Sequence, residues 1–278
     1  MQIISRNINE AYSKVCRAVY LYGEDVETRG LKVRELTNVQ IELKNPRERI
    51  ITSTTRAMSM CYMVGELCFY LNKATSLEQI AYYGAFWRRV SDDGKTVRSA
   101  YGHRLFNGQL QYAITVLSND MYSRKAVMPI YNPTDAVESK DNPCTMFLQF
   151  LIRQGRLDCY TFMRSNDIWL GLPYDIAFFT IVQEIVLTVL RTTYPHLLMG
   201  SYFHHATSLH CYNEHIDELW DISSEQTCTN VVMPEVTLYD VTGWFQDLLI
   251  YEQAYRTNTR PISVGNDGLQ GWLGQWLK

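Results

Sequence analysis

Residues 144–163 read CTMFLQFLIRQGRLDCYTFM, two apolar runs held apart by Arg153-Gln154-Gly155-Arg156. A short polar connection with glycine between two β-prone runs is a hairpin signal, so this stretch predicts two antiparallel strands. The polar cluster Arg164-Ser165-Asn166-Asp167 follows, then the turn-like LGLPYD at 170–175 and a long apolar helix over 176–190. Beyond Gly200, SYFHHATSLHCY at 201–212 reads as a strand, and a late helix is predicted at 244–255 ahead of a Gly-rich tail.

On the N-terminal side, AVMPIY at 126–131 reads as a short buried strand and 106–117 as a helix. Residues 55–71, TRAMSMCYMVGELCFYL, predict a helix apolar nearly all round, with a single carboxylate, Glu66. The alternation in LKVRELTNVQIEL at 31–43 predicts strands interrupted by a turn at Thr37-Asn38. Ile8, Ala11, Tyr12, Val15, Ala18 and Val19 recur at helical spacing, so a helix is expected to open the chain. This order mixes helices and strands without regular β-α-β spacing, which predicts an α+β fold. No repeat, low-complexity tract or linker divides residues 1–278, which read as a single domain.

Composition narrows the function. With 278 residues, 46% hydrophobic and 20% charged, the chain can bury a sizeable core, which excludes a disordered or fibrous protein. Its net charge of -3 supplies no general basic field for nucleic acid or anionic membrane, so any phosphate recognition has to be local. Seven cysteines without C-x-x-C spacing predict reduced thiols rather than a disulfide framework or a metal site. No apolar signal core opens the chain and no run approaches the roughly 18 apolar residues of a membrane span, so a soluble, cytoplasmic protein is expected.

The hairpin also carries chemistry. Cys144 opens the first strand and Arg164-Ser165 closes the second, which places a thiol and an anion clamp at one sheet edge. Arg offers a rigid fork of donors to phosphate, Ser adds a hydroxyl, and nearby positive charge favours the thiolate. Read from the residues alone, a nucleophile beside a phosphate site competes with the commoner role of an apolar-flanked cysteine as a small core residue.

Four segments in this order, Pro143-Cys144, Arg164-Ser165-Asn166-Asp167, Leu170-Gly171-Leu172-Pro173 and His210-Cys211-Tyr212, resemble thymidylate synthase and its relatives, the pyrimidine nucleotide hydroxymethylases. The resemblance implies a three-layer α+β subunit whose large mixed sheet forms the interface of an obligate homodimer. It implies that Cys144 adds to carbon 6 of a pyrimidine nucleoside monophosphate, so that carbon 5 attacks the methylene of 5,10-methylenetetrahydrofolate, with no metal. Glu66 would organise water and move protons at the base, with a proton affinity raised by its apolar helix, Tyr101 would assist proton removal, and Asp167 would stand with them as a catalytic residue. Arg29, Arg164 and Ser165 would bind phosphate, joined by Arg124 and Lys125 from the partner subunit. Lys125 keeps the charge but not the bidentate geometry of the family's usual arginine. His210 and Tyr212 would bind the sugar, and Phe86, Trp87, Asp167, Leu170 and Gly171 would line the folate pocket. His204 and His205 are read as structural.

Where thymidylate synthases have Asn, this chain has Asp175, and a carboxylate accepts from the exocyclic amine of cytosine but repels the uracil carbonyl. Asp175, Thr145 after the nucleophile, and FWRRVSDDGKTVRSAYG at 86–102 resemble the deoxycytidylate hydroxymethylases. The tail at 265–278 differs from the segment that thymidylate synthases close over folate, and a looser closure would admit water. The expectation is therefore C5 hydroxymethylation of dCMP or CMP, in the cytoplasm, or a host's cytoplasm if a phage encodes it. A thymidylate synthase or cytidylate C5-methylase on the same fold is the alternative enzyme. A non-catalytic nucleotide- or RNA-binding dimer is the alternative of another class.

Overall fold

Gln154 and Gly155 have φ of 51° and 69°, the left-handed pair that a two-residue hairpin turn requires. The computed structural model describes residues 1–225, 229–259 and 268–277. In chain order its strands are β1 (Gln2–Ser5), β2 (Glu24–Thr28), β3 (Leu31–Leu43), β4 (Val127–Pro129), β5 (Thr145–Arg153), β6 (Arg156–Met163), β7 (Asn166–Asp167) and β8 (Leu198–Tyr212). The hairpin over 144–163 is thus β5 and β6, paired from Arg153↔Arg156 back to Thr145↔Met163.

Two compact units divide the chain. Met1–Met58, Cys144–Gln183 and Leu197–Met233 make the first, and Ser59–Pro143, Glu184–His196 and Pro234–Lys278 the second. The first unit is built on a mixed sheet in the order β1-β3-β8-β6-β5, with β2 added to β3 and β7 to β8. Its β1–β3, β6–β8 and β7–β8 pairs are parallel, and its β3–β8 and β5–β6 pairs antiparallel. Strands mixed in this way with helices make the α+β class expected from sequence.

Alternation sets the two faces of this sheet. Leu148, Phe150 and Ile152 on β5, Leu157, Cys159 and Met163 on β6, and Tyr202, His204 and Ala206 on β8 are buried. Each large apolar side chain so buried contributes about 1.5–3 kcal/mol. The intervening Phe147, Tyr160, Phe162, Phe203 and His205 are only half-buried, and stack as Tyr160–Phe203 and Phe147–Phe162, each at 4.5 Å, and Phe162–His205 at 5.2 Å.

The Ile8–Tyr22 helix buries Ile8, Ala11, Tyr12, Val15, Ala18 and Val19, the stripe read from spacing, and is capped by Asn7 Oδ1 accepting from Glu10 N. It does not open the chain, because Gln2–Ser5 first pairs with β3 as a parallel strand. The expected turn at Thr37-Asn38 is also absent. Asn38 takes φ 54°, yet β3 continues in register, with Thr37 opposite Ser208 and Val39 opposite Ala206. Asn tolerates the left-handed region, so a turn-prone residue sits here inside an unbroken strand.

The second unit is mostly helical: Met60–Leu71, Leu77–Ala81, Trp87–Val90, Tyr101–Leu105, Gln109–Asn119, Leu238–Thr242, Gln246–Arg256 and Gly268–Gly274, with the short strand β4. The apolar helix expected from residue 55 starts only at Met60, where Ser59 accepts from Tyr62 N. The Leu172–Leu190 helix contributes residues to both units. Contrary to the expectation from sequence, it is long and apolar enough to cross a membrane, but 89% of that span is buried within the protein. Its polar residues are used there. Gln183 Nε2 donates to the carbonyls of Leu157 (2.9 Å) and Ser201 (3.2 Å), beside the β6–β8 register shift between Leu157 and Cys159.

In the C-terminal tail, residues 268–274 are helical, and 265–267 and 278 lie outside the described residues, as does Cys228.

Candidate active site

Pairing of β5 with β6 brings the two ends of the hairpin together. Arg164 N donates to the Cys144 carbonyl at 2.9 Å, so the thiol and the guanidinium start from adjacent points of one sheet edge. Cys144 is half-buried, Arg164 exposed and Ser165 half-buried. A register shift between Thr145 and Phe147 follows the cysteine directly, and such bulges re-aim side chains at sheet ends. The other cysteines differ in setting. Cys16, Cys68, Cys159 and Cys211 are buried, and burial pushes each of these thiols above its ordinary range. Burial also raises the half-exposed Cys61.

The segment after β6 is fixed by its own carbonyls. Tyr12 Oη donates to Ile168 O (3.2 Å), Arg56 Nε and Nη2 donate to Trp169 O (2.9 and 2.8 Å), and Ile168 N donates to His210 O (2.8 Å). Arg56 also lies over the Trp169 ring, 5.1 Å from its centroid. In this frame β7 pairs Asp167 with His210 of β8. Asp167 Oδ1 accepts from Leu170 N, while Oδ2 is buried without a hydrogen-bond partner, 4.0 Å from His210 Nε2. Burial raises the Asp167 carboxyl and lowers the His210 imidazole, each opposed by the charge of the other. His210 also meets Tyr212 edge-on at 5.5 Å. Arg29 occupies the β2–β3 turn at φ 51°, and its charge contributes to lowering His210.

Asp175 lies in the first turn of the Leu172–Leu190 helix, reached through the turn in which Gly171 N donates to Asp167 O and Asp175 N to Gly171 O. Its Oδ2 accepts from Asn166 Nδ2 at 2.7 Å. Burial pushes the Asp175 carboxyl up to about 7, the Asn166 hydrogen bond pulls it down, and the charge of Asp167 pushes it further up. On its other side Asn166 meets His204, whose ring is fully buried.

In the second unit, Glu66 is buried on the Met60–Leu71 helix with Tyr62 and Tyr70 one turn to either side. Both tyrosine hydroxyls donate to Glu66 Oε1, at 2.9 and 3.3 Å, and Trp87 Nε1 donates to Tyr62 Oη at 3.0 Å. Phe86 packs on Trp87 at 4.9 Å, and Tyr101 stacks on Tyr70 at 5.4 Å. The glycine after Tyr101 has a steric cause, since a Cβ on Gly102 would lie 1.9 Å from the Tyr70 carbonyl oxygen. Arg124 and Lys125 are exposed beyond the Gln109–Asn119 helix, after Ser123, whose hydroxyl accepts from Lys125 N.

The first unit thus brings together Cys144 with Arg164, Asn166 with Asp175, and Asp167 with His210, while the second gathers Glu66, Tyr101, Phe86 and Trp87. Sequence reasoning missed Tyr62 and Tyr70 as holders of Glu66, although spacings of four on one helix carry that signal. It also missed Arg56, and it left His204 as a structural residue. Among the described residues, no group of three or more His, Cys, Asp or Glu side chains is placed to hold a metal.

A half-buried cysteine stands beside an arginine, with two half-buried acids and a histidine on the neighbouring segments, an arrangement that could place a nucleophile next to a bound anion. Residues 10–249 match the thymidylate synthase family, and the chain belongs to it. It is 29% identical over 221 residues to the deoxyuridylate hydroxymethyltransferase of Bacillus phage SP01, a match covering 73% of this chain and 56% of the relative. It is 24% identical over 235 residues to the thymidylate synthase of Listeria innocua serovar 6a (strain ATCC BAA-680 / CLIP 11262), covering 83% of this chain and 64% of that one. The chain therefore spans less than two thirds of the length of either relative.

Proposed function

We propose that this protein transfers a one-carbon unit to carbon 5 of a cytidine nucleoside monophosphate, dCMP or CMP, giving the 5-hydroxymethyl product. Cys144 is the nucleophile. Its thiolate adds to carbon 6, which makes carbon 5 nucleophilic; carbon 5 takes up the methylene and loses its proton, water supplies the hydroxyl as tetrahydrofolate is released, and the thiolate leaves again, so the enzyme is regenerated. Arg164, Ser165 and Arg29 bind the phosphate, and His210 and Tyr212 the sugar. Glu66, held by Tyr62 and Tyr70, orders water and moves protons at the base, with Tyr101 as its companion.

The folate pocket is assigned to Phe86, Trp87, Asp167, Leu170 and Gly171. The fit rests on Asp167 Oδ2, a buried acceptor without a hydrogen-bond partner among the described residues, which suits an N–H donor of a pterin ring. When bound there, 5,10-methylenetetrahydrofolate supplies the one-carbon unit.

We read the whole as a single catalytic domain acting as a cytoplasmic homodimer, with Arg124 and Lys125 completing the partner's phosphate site. The half-buried aromatic face of the sheet and the exposure of both cations support that reading.

The observation that carries the choice of base is Asp175. Bound to Asn166 through Oδ2, its carboxylate is a pure acceptor when ionised, which complements the amine of cytosine and not the carbonyl of uracil. The test is a panel of dUMP, dCMP and CMP with methylenetetrahydrofolate, read by product mass. Addition of a hydroxymethyl group to a cytidylate is expected. Conversion of dUMP alone, or a methylated product accompanied by dihydrofolate, would overturn it. Uridylate is the second reading, favoured by the resemblance to the phage deoxyuridylate hydroxymethyltransferase.

A further inference from the structure

Behind Asp175 runs a buried chain of polar groups. Tyr202, His204 and Asn166 are all buried, and the buried Thr161 of β6 pairs opposite His204. Tyr202 Oη lies 3.0 Å from His204 Nδ1, His204 Nε2 lies 2.9 Å from Asn166 Oδ1, and Asn166 Nδ2 lies 2.7 Å from Asp175 Oδ2. An ionised carboxylate only accepts, so Asn166 gives it the amide N–H and turns its own oxygen to His204. His204 Nε2 must then donate, and burial holds this imidazole neutral, lowered to about 3. A neutral ring with its proton on Nε2 leaves Nδ1 as an acceptor, which takes the Tyr202 hydroxyl.

We propose that His204, acting through Asn166, is a positioning residue that sets base selectivity by holding the Asp175 carboxyl in one orientation, with its Oδ2 turned to the Asn166 amide N–H. This rests on the reading of Asp175 as the group that meets the base. The physical ground is that an amide can present either its oxygen or its nitrogen. Without a neighbour that fixes its flip, Asn166 can face Asp175 with either group, and the carboxyl then has no defined charge or hydrogen-bonding sense. His204 removes that freedom because its one donor faces Asn166, and Tyr202 removes the freedom of His204 in turn. The relay lies on one layer of the sheet: Tyr202 and His204 are two residues apart on β8 and so point the same way, and Asn166 is on β7, which pairs with β8.

The experiment compares the ratio of kcat/KM for dCMP to that for dUMP in the whole protein and in Asp175→Asn, His204→Phe and Tyr202→Phe. Asp175→Asn is expected to reverse the preferred base. His204→Phe is expected to lower the wild-type preference by about tenfold or more, the scale on which losing an oriented polar partner degrades discrimination. Tyr202→Phe, which removes a single hydroxyl, should lower it in the same direction by a smaller factor and serves where His204→Phe does not fold. Loss of overall rate with an unchanged ratio in the His204 and Tyr202 variants would make these residues merely structural and would overturn the proposal. An unchanged base preference in Asp175→Asn would instead remove the reading on which it rests. Nitrogen NMR of His204 in the substrate-free protein is independent of both: a neutral ring protonated on Nε2 is expected, and a proton on Nδ1 would overturn the relay.

Discussion

Asp175 is a carboxyl at a position where burial penalises its charge. Its carboxyl is pushed from an ordinary 3.8 up to about 7, by burial first and by Asp167 in addition, against the hydrogen bond from Asn166. A carboxyl whose folded value is raised contributes stability that is complete below the unfolded value and is lost as pH rises through the folded one. Stability should therefore fall between about pH 4 and about pH 7 on account of this residue. Asp175→Asn removes the titration, so its gain in thermal midpoint over wild type should be larger at about pH 8 than at about pH 5. Equal gains at both would contradict the assignment. At this scale the sequence was legible where signals are local or carried by resemblance. Spacing around the hairpin placed Cys144 and Arg164 at one sheet edge, where the structure has them, while their roles and that of Asp175 came from the resemblance. His204 was not legible, because its partner Asn166 is 38 residues away and the parallel pairing of β6 and β7 with β8 is what brings them together.

Two elements of the second unit share one close contact. The Tyr101–Leu105 helix approaches the end of the Met60–Leu71 helix so nearly that Gly102 faces the Tyr70 carbonyl with no room for a methyl group. Gly102→Ala should destabilise the protein by about 1–3 kcal/mol, measured by denaturant unfolding, since backbone cannot yield as a flexible side chain does. A change close to zero would mean that the contact is not maintained in solution. Elements with a strong local pattern were read correctly: the β5–β6 hairpin, the stripe of the first helix and the strand ending at Tyr212. Those whose limits depend on distant partners were not. Gln2–Ser5 is a strand only because β3 lies beside it, and Thr37-Asn38 stays extended because β8 pairs across it.

At the scale of the whole molecule, the two units are each assembled from three separated stretches of chain, a long-range arrangement that no local periodicity encodes. The sheet face carrying Phe147, Tyr160, Phe162 and Phe203 is the surface on which the proposed dimer depends. Phe203→Asp should leave a monomer by light scattering and, with the partner's cations withdrawn, should abolish turnover. An active monomer would refute the shared site. Burying a charge in an aromatic stack is costly enough to separate subunits even where each remains folded.

The hydrogen bond from Arg164 N to the Cys144 carbonyl makes the sheet a gauge. Thiol and guanidinium cannot drift apart along the chain, because both are tied to the same rung of the ladder. On the proposed reading, a nucleoside monophosphate would be measured as well as recognised, since its electrophilic carbon and its negative charge are separated by the length of one sugar. A free base would then be too short for that gauge and a longer phosphate chain would put its terminal charge out of place, so the proposed substrate size would be set by backbone pairing rather than by any single side chain.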